Sequence, residues 1–347
     1  MHLAVYLPLV IPVLAALAAR SFADRLPPAV ATWLLTGSSV ALAAASSAVL
    51  GLLALTALVR VPLVATVAHM SARVMSRTDP ASLPVAILAG ALLAAAAVAA
   101  GGALWRRARA IVAAGRQARH LPGSNQVVVT DDNAADAYTL PGWPCRIVVT
   151  TGMLRALTDS ERQVLLAHER AHAGGSHYLF TSAARLAAAA NPLLRPVAAQ
   201  VGYTVERWAD EHAAAATGDR PQTARAIARA AMATTAAPPD RTGPATALGL
   251  VGVDSEGAQQ GDERPGRGGT PGRDRWRLPR ISSLRRSGMR RAGPVPRRVA
   301  ALLGPPPQAS LLLLAAAVLL VAISGLSALE AARNMHQLIE LAQSPRG

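Results

Sequence analysis

The chain of 347 residues is 52% hydrophobic and only 3% aromatic, yet it carries a formal net charge of +15. This combination excludes an ordinary soluble domain and a disordered chain, and it is typical of apolar membrane spans joined by basic loops. The single cysteine, Cys145, excludes an internal disulfide and a cysteine-based zinc site, so histidines and carboxylates would have to form any metal site.

Four apolar stretches that contain no charged residue and no histidine predict four transmembrane helices, because a helix needs roughly 20 residues to cross the hydrocarbon core. The first stretch has no basic residue before its apolar run, which favours an uncleaved anchor over a secretory signal peptide. We therefore predict an α-helical membrane protein. The four predicted spans are residues 3–19, 29–59, 81–104 and 309–329.

The distribution of arginines predicts the orientation in the cell membrane. The third span is followed by WRRARAIVAAGRQARH, which has five arginines and no acid, and flanks of this kind stay in the cytoplasm. A second Arg-rich run precedes the fourth span and indicates the same side. The sequence thus predicts an outside N-terminus, a cytoplasmic segment from about 105 to 308 and an outside C-terminus. Arg60, Arg73 and Arg77 would then lie outside, against this orientation.

Composition divides the chain further. Residues 238–308 are rich in Pro, Gly and Arg, which predicts a flexible linker. A basic tract can bind nucleic acid, but a solvated linker near the membrane is the simpler interpretation, and no direct nucleic acid binding is expected. The predicted units are an N-terminal membrane domain (1–104), a cytoplasmic domain (105–237), the linker (238–308), the fourth span (309–329) and a short tail (330–347).

Short β-branched runs predict strands at 126–130 and 146–150, with a further possible strand at Tyr138–Leu140. The run Arg146–Thr150 is interpreted either as an edge strand that binds an extended substrate through its backbone or as an ordinary core strand. An Ala-rich run at 181–202 contains Arg185 and Arg195, which favours a domain helix, lying against the membrane, over a fifth span.

The next segment, TDSERQVLLAHERAHAGG, predicts a helix with defined ends. Thr158 followed three residues later by Glu161 is typical of a capping box, and Gly174-Gly175 indicates the end of the helix. The motif HERAH therefore falls in its last turns.

The spacing within HERAH indicates a metal site. Helical positions i and i+4 lie on one face, so His168 and His172 can direct ring nitrogens at a single ion. Glu169 is rotated by about 100° around the helix, and its carboxylate is therefore suited to a water on the metal rather than to the metal itself. A catalytic zinc usually has three protein ligands, so another residue must come from elsewhere.

The segment VERWADEHAA, residues 205–214, supplies the candidate. Glu206 and Asp210 are again four residues apart on a predicted helix. One of them could bind the metal while the other accepts a hydrogen bond from a ligating imidazole. We assign Glu206 as the third ligand of one zinc ion per chain and Asp210 as the supporting acid.

These residues resemble the BlaR/MecR-type antirepressor family of integral-membrane zinc metallopeptidases and, more distantly, the HtpX and CAAX prenyl protease family. The resemblance is densest from about 126 to 216, and its layout of spans is similar. It implies a cytoplasmic α+β gluzincin-type zinc peptidase domain with ligands His168, His172 and Glu206. It also implies a catalytic carboxylate at Glu169 and a supporting acid at Asp210.

The antibiotic-sensing members of that family continue into an extracellular penicillin-binding domain, whereas the present sequence ends about 18 residues after the fourth predicted span. Detection of β-lactams by this chain is therefore not expected. The resemblance implies a membrane-anchored endopeptidase that cleaves a cytoplasmic transcriptional repressor of the BlaI type, with self-cleavage before the zinc domain as a further expectation.

Two other functions stay open: an HtpX-like protease for membrane-protein quality control, and a non-catalytic zinc-stabilised membrane scaffold, which the intact Glu169 opposes. The expected partners are a protein or peptide substrate and the lipid bilayer. Peptide hydrolysis needs a donor for the developing oxyanion. The candidates for that or another auxiliary role are His177, Tyr203, Arg207 and His212.

Overall fold

The computed structural model describes residues 6–59, 83–235, 293–306 and 311–343. These residues are mostly helical, with one small sheet. The helices are α1 (Leu7–Arg25), α2 (Pro28–Val59), α3 (Leu83–His120), α4 (Thr151–Ala156), α5 (Asp159–Gly174), α6 (His177–Ala190), α7 (Arg195–Thr217), α8 (Arg220–Thr235), α9 (Pro294–Leu303) and α10 (Leu311–Gln343), and the strands are β1 (Val127–Thr130), β2 (Ala137–Leu140) and β3 (Arg146–Thr150).

Helices α1, α2 and α3 are long and apolar enough to cross a membrane. Helix α10 carries a shorter apolar part, Leu311–Ser327, so the described residues support three of the four predicted spans by length and composition. The arginines at 60, 73 and 77 lie outside the described residues. Helix α3 continues past the predicted boundary at residue 104 as far as His120, and it therefore links the apolar segment directly to the domain that follows.

The sheet has the order β1-β3-β2, which puts β3 in the centre. β1 pairs with β3 in parallel, with Val128 opposite Val148, and β2 pairs antiparallel on the other side, with Tyr138 opposite Val148. All five residues of β3 are buried. The edge-strand interpretation of Arg146–Thr150 was therefore wrong, because both sides of this strand are already paired within the sheet.

The Ala-rich run at 181–202 forms parts of two helices, because a 3₁₀ turn at Pro192–Leu194 separates α6 from α7. Neither helix is among those long and apolar enough to cross a membrane. Both pack on α1 and α2 in one hydrophobic core. Buried polar contacts connect the same elements: Thr32 donates to Thr204 at 2.9 Å, and Arg207 Nη1 donates to the carbonyl of Ala23 at 2.5 Å. The apolar N-terminal helices thus support the helix that carries Glu206.

Helix α9 lies within the segment that composition assigned to a linker. Most of that segment, 238–292 and 307–308, is outside the described residues. The helix packs against α8, where Leu302 is buried with Ala224 and Ile227. Arg220 donates from Nε and Nη2 to the carbonyls of Leu302 and Ala301, both at 3.1 Å, near the end of α9. The linker prediction does not hold for this part, because an apolar face and a side-chain cap fix it to the domain.

Candidate metal centre

Helix α5 begins and ends where its sequence predicts. Glu161 Oε2 accepts hydrogen bonds from the backbone nitrogen and the hydroxyl of Thr158 at 2.9 and 2.8 Å. At the other end, the Gly175 nitrogen donates to the carbonyl of Ala171 at 2.8 Å. The capping box is therefore confirmed, and it places His168, Glu169 and His172 in the last two turns of a helix with fixed ends.

His168, His172 and Glu206 meet at one point. The two Nε2 atoms of the histidines lie 3.1 Å apart, and they lie 3.6 and 3.5 Å from the nearer carboxylate oxygens of Glu206. A tetrahedral zinc with ligand distances of about 2.0–2.1 Å would separate its ligand atoms by about 3.3–3.4 Å. The observed spacing fits that requirement, so the group can hold a metal ion of this size.

Each histidine of the pair has a partner on its other ring nitrogen. Asp210 Oδ1 lies 3.0 Å from His168 Nδ1, and His177 Nδ1 lies 3.0 Å from His172 Nδ1. If Nε2 of His172 binds a metal, its proton is on Nδ1, and His177 must accept that proton in a hydrogen bond. His177 is buried, and its ring packs against Trp208 at 4.7 Å. Such partners fix the tautomer and the ring orientation of a ligating histidine.

The electrostatics of this group favour a cation between the rings. Burial opposes the charged form of His168, but the carboxylates of Asp210 and Glu206 raise its pKa to about 10. Burial lowers the pKa of His172 to about 4 and that of His177 to about 3, so these rings are neutral. Although burial opposes ionisation of Glu206, the Arg298 guanidinium and His172 lower its pKa. The carboxylates around His168 therefore favour positive charge at this point, and the histidine and carboxylate side chains together form a ligand set that zinc takes in proteins.

Glu169 lies beside the histidine pair and faces the sheet. It is only 7% exposed, and the hydroxyl of Thr139 on β2 donates to its Oε2 at 2.9 Å. Burial raises the pKa of Glu169, against the effects of His168 and Thr139, which lower it. A buried carboxylate with a raised pKa is suited to accept and return a proton near neutral pH.

Arg298 was not predicted as a site residue. Its side chain is 11% exposed; Nε and Nη2 donate to the two oxygens of Asp210 at 2.7 and 2.6 Å, and Nη1 lies 2.9 Å from Glu206. It comes from α9, 88 residues after Asp210 in the chain. An Arg-rich run such as 285–298 gives no local signal that one member is buried.

The four residues predicted for an oxyanion or auxiliary role do not gather at the cavity beside the metal group. His177 supports His172, as described above. The other three have different surroundings: Arg207 reaches the carbonyl of Ala23, Tyr203 packs in the core beneath Arg297, and His212 is exposed. None of the four lines the cavity beside the metal group.

A cavity of about 190 Å³ opens beside Glu169 and the metal group. It is lined by residues of α5, α8 and the start of β2, and by Arg298 of α9. Most of the other lining residues are apolar or small. They include Met153, Val164, Ile227, Ala230 and Val295. The cavity is therefore suited to an apolar group next to a polar reaction centre.

Comparison with known proteins gives one positive finding. The sequence model of peptidase family M48 matches residues 103–201, which is under a third of the chain. The match includes both histidines of the metal group and Glu169, and it ends five residues before Glu206. No curated protein and no solved structure shows a significant match to the chain. Residues 103–201 are therefore similar to the M48 metallopeptidases, and two of the three side chains that could hold a metal ion lie within this matched stretch.

Proposed function

We propose that this protein is a membrane-anchored zinc endopeptidase that hydrolyses peptide bonds on the cytoplasmic side. The observation that carries the proposal is the convergence of His168, His172 and Glu206 within zinc-ligand distance of one another, with Glu169 buried beside them. Three apolar helices are available to hold the domain at the membrane. The arginines that follow the third of them support the cytoplasmic orientation.

The zinc ligands would be His168, His172 and Glu206. When bound, zinc supplies Lewis acidity, which lowers the pKa of water and polarises a substrate carbonyl. Glu169 acts as the general base that takes the proton of the attacking water, and it then passes this proton to the departing amine. Thr139 keeps the carboxylate of Glu169 oriented through the 2.9 Å hydrogen bond. Asp210 and His177 keep the two imidazoles in fixed orientations.

The sheet offers a place for an extended substrate. β2 is an edge strand among the described residues, and it lies next to α5, with Ala137 lining the cavity and Thr139 contacting Glu169. In an antiparallel pair, alternate residues direct their backbone groups away from the partner strand. A substrate segment that pairs with β2 would therefore pass along the catalytic helix, and one of its side chains would enter the cavity.

We propose a cytoplasmic transcriptional repressor of the BlaI type as the substrate. The support is the sequence resemblance to the antirepressor peptidases. A second candidate, quality control of membrane proteins, is favoured by the packing of α7 on α1 and α2. This packing keeps the metal group close to the apolar helices, where a partly unfolded membrane protein would be accessible.

Two variants test the enzyme and the ligand set separately. Purified Glu169→Gln protein in detergent is expected to keep about one zinc ion per chain and to lose cleavage of peptides, because the ligands remain while the base is removed. Glu206→Ala is expected to lose both the zinc ion and the cleavage of peptides. Metal content by elemental analysis and peptide cleavage by mass spectrometry measure both. Unchanged cleavage by Glu169→Gln would refute the mechanism, and full zinc retention by Glu206→Ala would refute the third ligand.

The substrate is tested by comparing the proteomes of cells that contain the wild-type enzyme with those that contain Glu169→Gln. Stabilisation of one DNA-binding repressor is expected. Stabilisation of many membrane proteins instead would favour the quality-control function. An unaltered proteome, with both enzymes present in equal amounts, would argue for the non-catalytic scaffold.

A further inference from the structure

Arg298 brings one guanidinium into contact with two carboxylates of the metal centre. Glu206 and Asp210 are one turn apart on α7, and Arg298 contacts Asp210 through two nitrogens and Glu206 through the third. Asp210 is 2% exposed at its side chain and also lies against His168. The same cation thus reaches the proposed third ligand and the acid behind the first ligand.

The geometry of these contacts requires arginine. A guanidinium is planar and presents parallel N–H groups that match the two oxygens of a carboxylate, whereas a lysine ammonium is a single point of charge. The contacts with Asp210 use one such pair of N–H groups, and the remaining nitrogen is turned to Glu206. Two neighbouring carboxylates, one buried and one half-buried, repel each other, and a cation held between them offsets that repulsion.

We propose that Arg298 is a positioning residue of the metal centre: it holds Glu206 towards the two histidines and Asp210 against His168. The inference rests on the proposed function, because it assumes that these residues bind zinc. Helix α9, which follows the stretch matched by the family model, would then contribute to the geometry of the metal centre. Arg298 contacts the metal-binding residues and acts through them.

Helix α9 has other attachments, which make a matched control possible. Arg297 donates to Asp24 at 2.7 Å, and its guanidinium lies 3.9 Å above the ring of Tyr203. Arg220 holds the other end of the helix. A neighbouring arginine of the same helix therefore anchors α9 without contacting Asp210 or Glu206, and Arg297→Gln reports on the docking of α9 alone.

The experiment measures the release of zinc from the full-length protein in detergent after addition of excess chelator with a colorimetric zinc readout. Arg298→Gln is expected to release zinc about 10–100-fold faster than wild type, which is the usual effect of losing a partner behind a metal ligand. Arg298→Lys should release it at an intermediate rate, since it restores the charge without the planar geometry. Arg297→Gln should stay within about threefold of wild type.

The direction of the change in the zinc release rate distinguishes a positioning role of Arg298 from an effect of its charge alone. Removing a cation beside two carboxylates would by itself make the site attract Zn²⁺ more strongly and slow its release. Faster release therefore supports positioning, and unchanged or slower release in Arg298→Gln overturns it. An equal acceleration in Arg297→Gln also overturns it, because the effect would then come from the docking of α9.

The test also covers a variant that does not fold and a wild-type protein that binds no zinc. If Arg298→Gln does not fold, Arg298→Lys takes its place, and a Lys variant with the wild-type release rate overturns the inference. The proposed function fails in a different way: a wild-type protein that binds no zinc refutes the metal centre itself. If the wild type binds zinc tightly and the Arg298 variants release it at the wild-type rate, the role of Arg298 is refuted and the metal centre is not.

Discussion

Adjacent glycines at the end of α5 are expected to respond in opposite ways to replacement by alanine. A β-carbon at Gly175 would lie 2.5 Å from Nε2 of His177 and 2.9 Å from the carbonyl oxygen of Ala171, whereas one at Gly174 would meet no atom within 4 Å. The backbone of Gly175 has ordinary right-handed helical angles, φ −81° and ψ −4°. Its conformation would accept alanine, so the close approach of the His177 ring is what requires glycine there.

The magnitudes follow from this geometry. The contact at Gly175 is about 1 Å shorter than an ordinary van der Waals distance, and overpacking of this kind costs roughly 1–3 kcal/mol. Gly174→Ala should instead gain roughly 0.5–1 kcal/mol from the lower entropy of the unfolded chain. Since 1 kcal/mol moves the Tm of a domain of this size by about 2–4 °C, Gly175→Ala should lower the Tm by about 2–12 °C and Gly174→Ala should raise it slightly.

Circular dichroism of the two purified variants in detergent measures these shifts, and chelator-driven zinc release measures the site. Gly175→Ala should also release zinc faster, because its methyl group displaces the His177 ring that supports His172. Gly174→Ala should release zinc at the wild-type rate. The reasoning is refuted if the two variants have the same Tm, or if Gly175→Ala melts lower while its zinc release is unchanged.

Two further results are expected. Thr139→Val keeps the shape of the side chain but removes the hydrogen-bond donor to Glu169. Because a hydrogen bond to a charged group contributes roughly 1.5–3 kcal/mol, kcat/KM for a peptide should fall about 10–100-fold. An unchanged kcat/KM at equal zinc content would contradict the role assigned to Thr139. Cys145 is half-buried, and burial, together with the charge of Glu169, raises the pKa of its thiol, so labelling by a membrane-impermeant thiol reagent should be slow and faster at higher pH. That labelling should occur only after lysis, and strong labelling in intact cells would invert the proposed topology.

The sequence by itself determined the local parts of the protein. Capping residues and glycines set the ends of α5, β-branched runs marked two strands with a possible third between them, and apolar length marked the helices that could span a membrane. The spacing of His168 with His172 and of Glu206 with Asp210 put each pair on one helix face. These signals are readable because they repeat within a few residues, and hydrogen bonds inside one helix fix them.

Only the tertiary structure decided what lies opposite those faces. It placed β3 in the centre of the sheet, His177 behind His172, and Arg207 against Ala23. It also selected Arg298 from among 35 basic residues, none of which differs in a way that local sequence reveals. Contacts between residues far apart in the chain depend on how whole helices pack. The contact of Arg298 with the two carboxylates of α7 therefore follows from the docking of α9 and not from any spacing in the sequence.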